Sequence, residues 1–344
     1  MEIDLIVSRL IINVAVLFIM MVPGIILKKC RMIPDGFGKG LSNLVLYIAQ
    51  PALIFFAYMN CSDRDILKDA LIVLLLSFLI HVLFAVVAIP AFSKAPDGKK
   101  RLLRLATIFA NAAFMGVPLI SSIYAGTPLE GRATIFASIY NFTFNMFLWS
   151  LGVSICTKDR DDNNDGILDP HIVKKRKEAS LLKALYHPVT IAAVLGIFVI
   201  VFDLKNRAPS VFGDASILSK SLDQLRGLVA PLSMTVIGIR LADINFKGFF
   251  NDLYMYLCLL LRHLVLPLGV VGLALVLKLI GLPISPVVLA VSVILASTPA
   301  ASSATMFAEK FDCDAAYVSR VVAVSTILSI LTMPLVLMLA FKII

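Results

Sequence analysis

Apolar runs of about twenty residues, ten of them in a chain of 344, constrain this protein more than any other feature of its sequence. A helix rises 1.5 Å per residue, so about 20 residues cross the roughly 30 Å hydrocarbon layer of a bilayer. The runs lie near residues 7–27, 41–59, 70–92, 102–124, 133–156, 187–203, 226–242, 253–280, 286–308 and 318–341. With 60% hydrophobic and only 15% charged residues, the chain has more apolar surface than a soluble globule can bury. The expectation is an all-α membrane protein of about ten transmembrane helices. The run at 187 is the shortest and the one near 225 the most polar. Glu2 and Asp4 precede the first run, which has no A-x-A cleavage pattern, so it reads as a retained span.

A net charge of +9 could suggest a nucleic-acid partner, but in a membrane protein the placement of Lys and Arg sets orientation. With the N-terminus outside, alternate loops hold 20 basic residues and the opposite loops and ends 10. Both termini are therefore expected outside the cell membrane, and the long loop from Thr157 to Leu182 inside, with no nucleic-acid role. Five cysteines without C-x-x-C spacing indicate neither a disulfide framework nor a zinc site. No HExxH, membrane Ser/Lys or Asp/Asp pair, or cofactor motif is present, so the chain does not read as an enzyme.

The central loop leaves five spans on each side, and an odd number per half forces the second half to enter the membrane inverted. The halves would be 1–156 and 184–344, joined by the loop 157–183. Span two carries Gln50-Pro51-Ala-Leu53 and span seven Ala230-Pro231-Leu232. Spans four and nine each carry an interruption, at Gly116-Val-Pro118 and Ser297-Thr-Pro299.

Proline within a helix removes one backbone hydrogen bond, and at membrane depth the freed groups need protein, water or ligand partners. If each interruption separates two half-helices, Pro118 and Pro299 sit in the first turn of the second halves, with free N–H groups facing the gap. Two such N-termini favour an anion. Asn111, Ser302, Ser303 and Thr305 flank the interruptions. Asn141 and Asn145, four apart on span five, share a helical face; they either line a cavity or join helices, as does Gln50. Ser325, Thr326, Ser329 and Thr332 read as small-residue packing.

None of the 22 acidic residues falls in the middle of a span, which disfavours a cation pump or sodium/proton antiporter. His81, Arg262 and His263 are ionisable groups within spans. They either take part in proton coupling or charge balance, or lie near water and snorkel. In the central loop, Asp161, Asn163, Asp165, Gly166 and Asp169 have the spacing of a calcium loop, but Ile172 stands where the bidentate glutamate belongs. Lys174, Lys175, Arg176 and Lys177 would face anionic lipid of the bilayer.

The segments Asn111-Ala-Ala-Phe-Met-Gly-Val-Pro118, Ser297 to Phe311 and Pro51-Ala-Leu-Ile-Phe55 resemble the auxin efflux carrier family, over nearly the whole chain. The short central loop is similar to that of prokaryotic-type members, among them malate and malonate permeases. The resemblance implies a five-plus-five inverted repeat like that of bile-acid symporters and sodium/proton antiporters, with broken helices in spans four and nine crossing at the substrate. It implies an elevator-type carrier of a small organic anion, often homodimeric, with spans one, two, six and seven as scaffold and the rest as the moving domain. By that analogy Asn111, Gly116, Pro118, Thr298 and Pro299 fall where the family binds a carboxylate. Coupling to a proton or to sodium is open at this stage, and so is a channel or a metabolite sensor without coupled transport.

Overall fold

A computed structural model describes residues 3–61, 66–157, 185–244, 252–311 and 313–343. The calcium-like segment 161–172 and the basic cluster 174–177 lie outside the described residues. The described chain is helical, and seven stretches are long and apolar enough to cross a membrane. Three shorter apolar helices accompany them, Ala112–Tyr124, Pro188–Val201 and Pro286–Ser297. Helices occupy all ten apolar runs, because in hydrocarbon a helix satisfies its own backbone polar groups.

In chain order the helices longer than one turn are α1 (Ile3–Lys29), α2 (Phe37–Met59), α3 (Ile66–Ala91), α4 (Asp97–Ile108), α5 (Ala112–Tyr124) and α6 (Glu130–Thr157). Beyond the loop come α7 (Pro188–Val201), α8 (Ile217–Arg226), α9 (Val229–Ala242), α10 (Leu253–Leu279), α11 (Pro286–Ser297), α12 (Ser302–Lys310) and α13 (Ala315–Ile343). Just before the seventh run lies a separate helix, α8, with Ser216 capping it through the amide of Ser219 at 3.1 Å. Gly227 and Leu228 separate it from α9.

Helices α1 and α9 pack against each other at backbone distance. A methyl group on Gly24 would overlap the carbonyl oxygen of Thr235, and one on Gly238 the carbonyl oxygen of Met21. Each glycine therefore admits the main chain of the facing helix, the small-residue packing that brings helices together in lipid. Opposite this seam, α4–α6 and α10–α13 surround the two interrupted spans.

The interruptions differ in place from the sequence expectation. The first break is Phe109–Ala110–Asn111, and the helix restarts at Ala112, so Pro118 lies inside α5 and not in its first turn. The reason is a π-type turn over Ala112–Gly116, in which Gly116 N–H donates to Asn111 O and Val117 N–H to Ala112 O, five residues back. In that register the missing amide of Pro118 would have faced Ala113 O. Gln50 on α2 supplies the donor instead, its Nε2 hydrogen-bonding to Ala113 O. The second break runs from Thr298 to Ala301, with Pro299 in the extended segment itself.

Candidate binding site at the crossing of two broken helices

The two breaks meet as a short antiparallel bridge between Ala110 and Ala300. Asn111 N–H donates to Pro299 O at 2.8 Å and Ala301 N–H to Phe109 O at 2.8 Å. Each break thus satisfies the other's extended backbone, as buried polar groups require. Ala300 N–H is taken by Ser325 Oγ of α13 at 2.8 Å. Gly116 is needed here because a side chain would press on Leu295 and reach Thr298 Cγ2 at 3.4 Å.

Four helix ends therefore converge: the C-termini of α4 and α11, and the N-termini of α5 and α12. The N-terminal ends present backbone N–H groups and the positive pole of the helix dipole, the chemistry that holds anions. Ser302 and Ser303 open α12. Ser302 is buried, its carbonyl accepting from Arg240 of α9 at 3.2 Å, and Ser303 Oγ is buried without a partner among the described residues.

The sequence-predicted residues divide by what their polar atoms already do. Asn111 is 2% exposed and its Nδ2 has no hydrogen-bond acceptor, and Asn141 is 1% exposed with Oδ1 unpartnered. Gln50 keeps an unpartnered Oε1 while its Nε2 completes the backbone of α5. Asn145, in contrast, donates to Asn141 O at 2.9 Å, within its own helix. Thr298 Oγ1 donates to Leu295 O at 2.8 Å and Ser297 Oγ to Val293 O at 2.7 Å, so both hydroxyls turn back along α11.

Arg262 does not snorkel. It is fully buried on α10, in a π-type turn over Leu261–Val265, and is the one Lys or Arg among the described residues that is. Its Nη1 donates to Thr107 O at 2.9 Å and its Nη2 to Ala296 O, the last turns of α4 and α11. Phe84 of α3 lies under the guanidinium at 4.8 Å. No Asp or Glu among the described residues is buried, so no acid neutralises it from within.

The adjacent His263 joins a hydrogen-bonded chain that ends at the break. Thr332 Oγ1 donates to Leu328 O at 3.2 Å, which leaves that oxygen to accept from His263 Nδ1–H at 2.9 Å. His263 Nε2 then accepts from Ser325 O–H at 2.8 Å, and Ser325 accepts from Ala300 N–H. Ser325 and Thr332 are thus structural partners of the crossing and not only small packing residues. His81 is buried away from this chain, Nδ1 donating to Ser77 O at 2.7 Å with its ring stacked on Phe147.

A cleft of about 500 Å³ opens beside α5, lined by Leu53, Pro118, Ser121, Ser122, Glu130 and Arg226 among others. Its size suits a small organic molecule. Arg226 ties its rim, donating to Glu130 Oε1 at 2.6 Å and Asp223 Oδ1 at 2.7 Å. Gly126 N–H donates to the other oxygen of Glu130 at 2.9 Å.

The family model described as "membrane transport protein" matches residues 9–337. The chain belongs to this family. It is the auxin efflux carrier family that the motifs of spans two, four and nine resemble, and its members are membrane transporters, not enzymes. An uncharacterized transporter of Methanothermobacter thermautotrophicus is 27% identical over 315 residues, which cover 91% of this chain and 92% of the relative. An uncharacterized transporter of Methanocaldococcus jannaschii is 24% identical over 330 residues, 94% of this chain and 96% of the relative. This multi-pass membrane transporter therefore aligns with both over more than nine-tenths of its length.

Proposed function

We propose that this transporter is a carrier for a small organic carboxylate, such as malate or malonate, bound where the two broken helices cross. The observation that carries the reading is the pairing of the breaks, Asn111 N–H on Pro299 O and Ala301 N–H on Phe109 O, with no buried acid among the described residues. That arrangement sets two helix N-termini beside the unpartnered Nδ2 of Asn111, and a carboxylate accepts from donors of this kind, while the free Oδ1 of Asn141 can accept from a protonated group of the ligand. Gly116, Pro118, Pro299, Ser302 and Ser303 shape the site, with Thr298 and Asn145 in supporting roles and Gln50 at its edge.

The architecture we propose is ten spans in a five-plus-five inverted repeat, with α1, α2, α7 and α9 as a scaffold. The remaining helices would move as an elevator between the two membrane faces, in a homodimer joined through the scaffold and with both chain termini outside. Coupling to a proton or to sodium would be read from the dependence of uptake on each gradient.

Purified protein titrated with a panel of carboxylates, with matched neutral amides and with sodium salts tests the site, because a ligand that binds the folded state raises its melting temperature. A carboxylate-specific shift is expected, and Asn111→Ala is expected to weaken it about tenfold while leaving the unliganded protein within about 1 kcal/mol of wild type. Saturable counter-flow in proteoliposomes separates a carrier from a channel or a sensor. A shift produced by cations alone, or unchanged carboxylate binding in Asn111→Ala combined with Pro299→Ala, would refute the proposed site.

A further inference from the structure

Two guanidinium groups reach the crossing: that of Arg240 on α9, half-buried and with the charge of Glu309 acting on it, whose Nη1 donates to Ser302 O at 3.2 Å, and that of Arg262, fully buried with no buried acid among the described residues to offset it. Each helix terminus carries roughly half an elementary charge, positive at the N-terminus and negative at the C-terminus. Two ends of each sign meet here, so their poles offset one another and leave the crossing with little preference for either sign of ion. Arg262 removes that balance. Its guanidinium hydrogen-bonds to Thr107 O in the last turn of α4 and to Ala296 O in the last turn of α11, so one cation occupies both negative poles. The positive poles at Ala112 and Ser302 have no equivalent acid facing them, since no Asp or Glu among the described residues is buried.

We propose that Arg262 is the positioning residue that gives the crossing its net positive charge, and with it the selectivity for anions. The inference rests on the carboxylate reading above and names the source of that selectivity. Arg262 acts through the helix ends it holds and requires no contact with the bound anion. Its surroundings suit this role: Phe84 at 4.8 Å and burial from solvent keep the charge unscreened, and only Nε is left without a hydrogen-bond partner. The same two hydrogen bonds join α4 to α11, so the charge and the alignment of the breaks come from one side chain.

The experiment is a binding titration of the full-length protein with malonate and with the neutral malonamide, in wild type and four variants. Arg262→Gln, which can still hydrogen-bond but is uncharged, is expected to raise the malonate dissociation constant by about tenfold or more and to leave malonamide unaffected. Arg262→Lys, which keeps the charge on a single-point donor, is expected to stay within about threefold of wild type. Should Arg262→Gln fail to fold, Phe84 gives an independent reading. Phe84→Glu places a carboxylate against the intact guanidinium and is expected to abolish the preference for malonate, whereas the neutral control Phe84→Gln preserves it. Equal malonate affinity in wild type, Arg262→Gln and Phe84→Glu overturns the assignment while leaving the carboxylate site standing. A wild-type protein that binds no carboxylate overturns both.

Discussion

The seam between α1 and α9 and the crossing of the two breaks lie in one helical protein and solve opposite problems. At the seam, Gly24 and Gly238 bring backbone against backbone. The seam tolerates no added atom. At the crossing, Asn111, Asn141, Gln50, Ser303 and Arg262 all retain a buried polar atom without a partner among the described residues. Such atoms destabilise a closed interior and become favourable only when something polar arrives. The lesson is that close packing fixes one region in place, whereas incomplete hydrogen bonding keeps the other receptive.

Breaking the seam should have the largest effect. Gly238→Val drives a branched side chain into the carbonyl of Met21, and we expect a loss of about 3 kcal/mol or more, seen as a large fall in melting temperature and loss of monodispersity in detergent. A variant that melts like wild type would show that the seam can open.

The next effect sharpens the other side of the comparison. Gln50→Leu leaves Ala113 O without its donor and should cost about 1 to 2 kcal/mol. Pro118→Ala restores an N–H in that register, so the double variant should recover about 1 kcal/mol relative to additivity. Strict additivity in the cycle would mean that Gln50 does not stand in for the proline.

The smallest effect concerns the rim of the crossing half, where Lys99 and Tyr317 donate to Asp252 at 2.6 and 3.0 Å. Burial works to raise the pKa of this carboxylate, but hydrogen bonds from Lys99 and Tyr317 outweigh it and hold the value below the ordinary 3.8. A lowered carboxylate pKa contributes stability above the ordinary value that is lost as pH falls through the folded one. Asp252→Asn should therefore lower stability by less than about 1 kcal/mol at neutral pH, a difference that fades below about pH 4. A difference that persists unchanged in acid would show that the charge of Asp252 is not its source, since asparagine still offers an oxygen to Tyr254 N–H.

Much of this arrangement was legible in the sequence, and the failures have physical causes. Run length locates the helices, because span length is set by the bilayer and leaves a compositional mark. The second break was legible from Ser297-Thr-Pro299. The first was misplaced by about two turns, because a π-type turn carries α5 through Pro118 and no sequence pattern announces such a turn. The same kind of turn puts Arg262 and His263 into the interior together, a placement that residue type does not distinguish from snorkelling to water. Hydroxyls are the least legible: Thr298 turns back on α11, while Ser325 of α13 reaches the same break at Ala300. Residue type alone does not distinguish those two.

The bond from Gln50 to Ala113 has a consequence for motion. A side chain on α2 completes the main chain of α5, so one helix is fully hydrogen-bonded only at a single offset from the other. Sliding α5 by even one helical turn, about 5.4 Å, would carry Ala113 out of reach and leave its carbonyl seeking water or another donor. In the elevator motion proposed above, the pair would work as a detent, a notch that marks one resting position along the travel and makes each departure from it begin with the same broken bond.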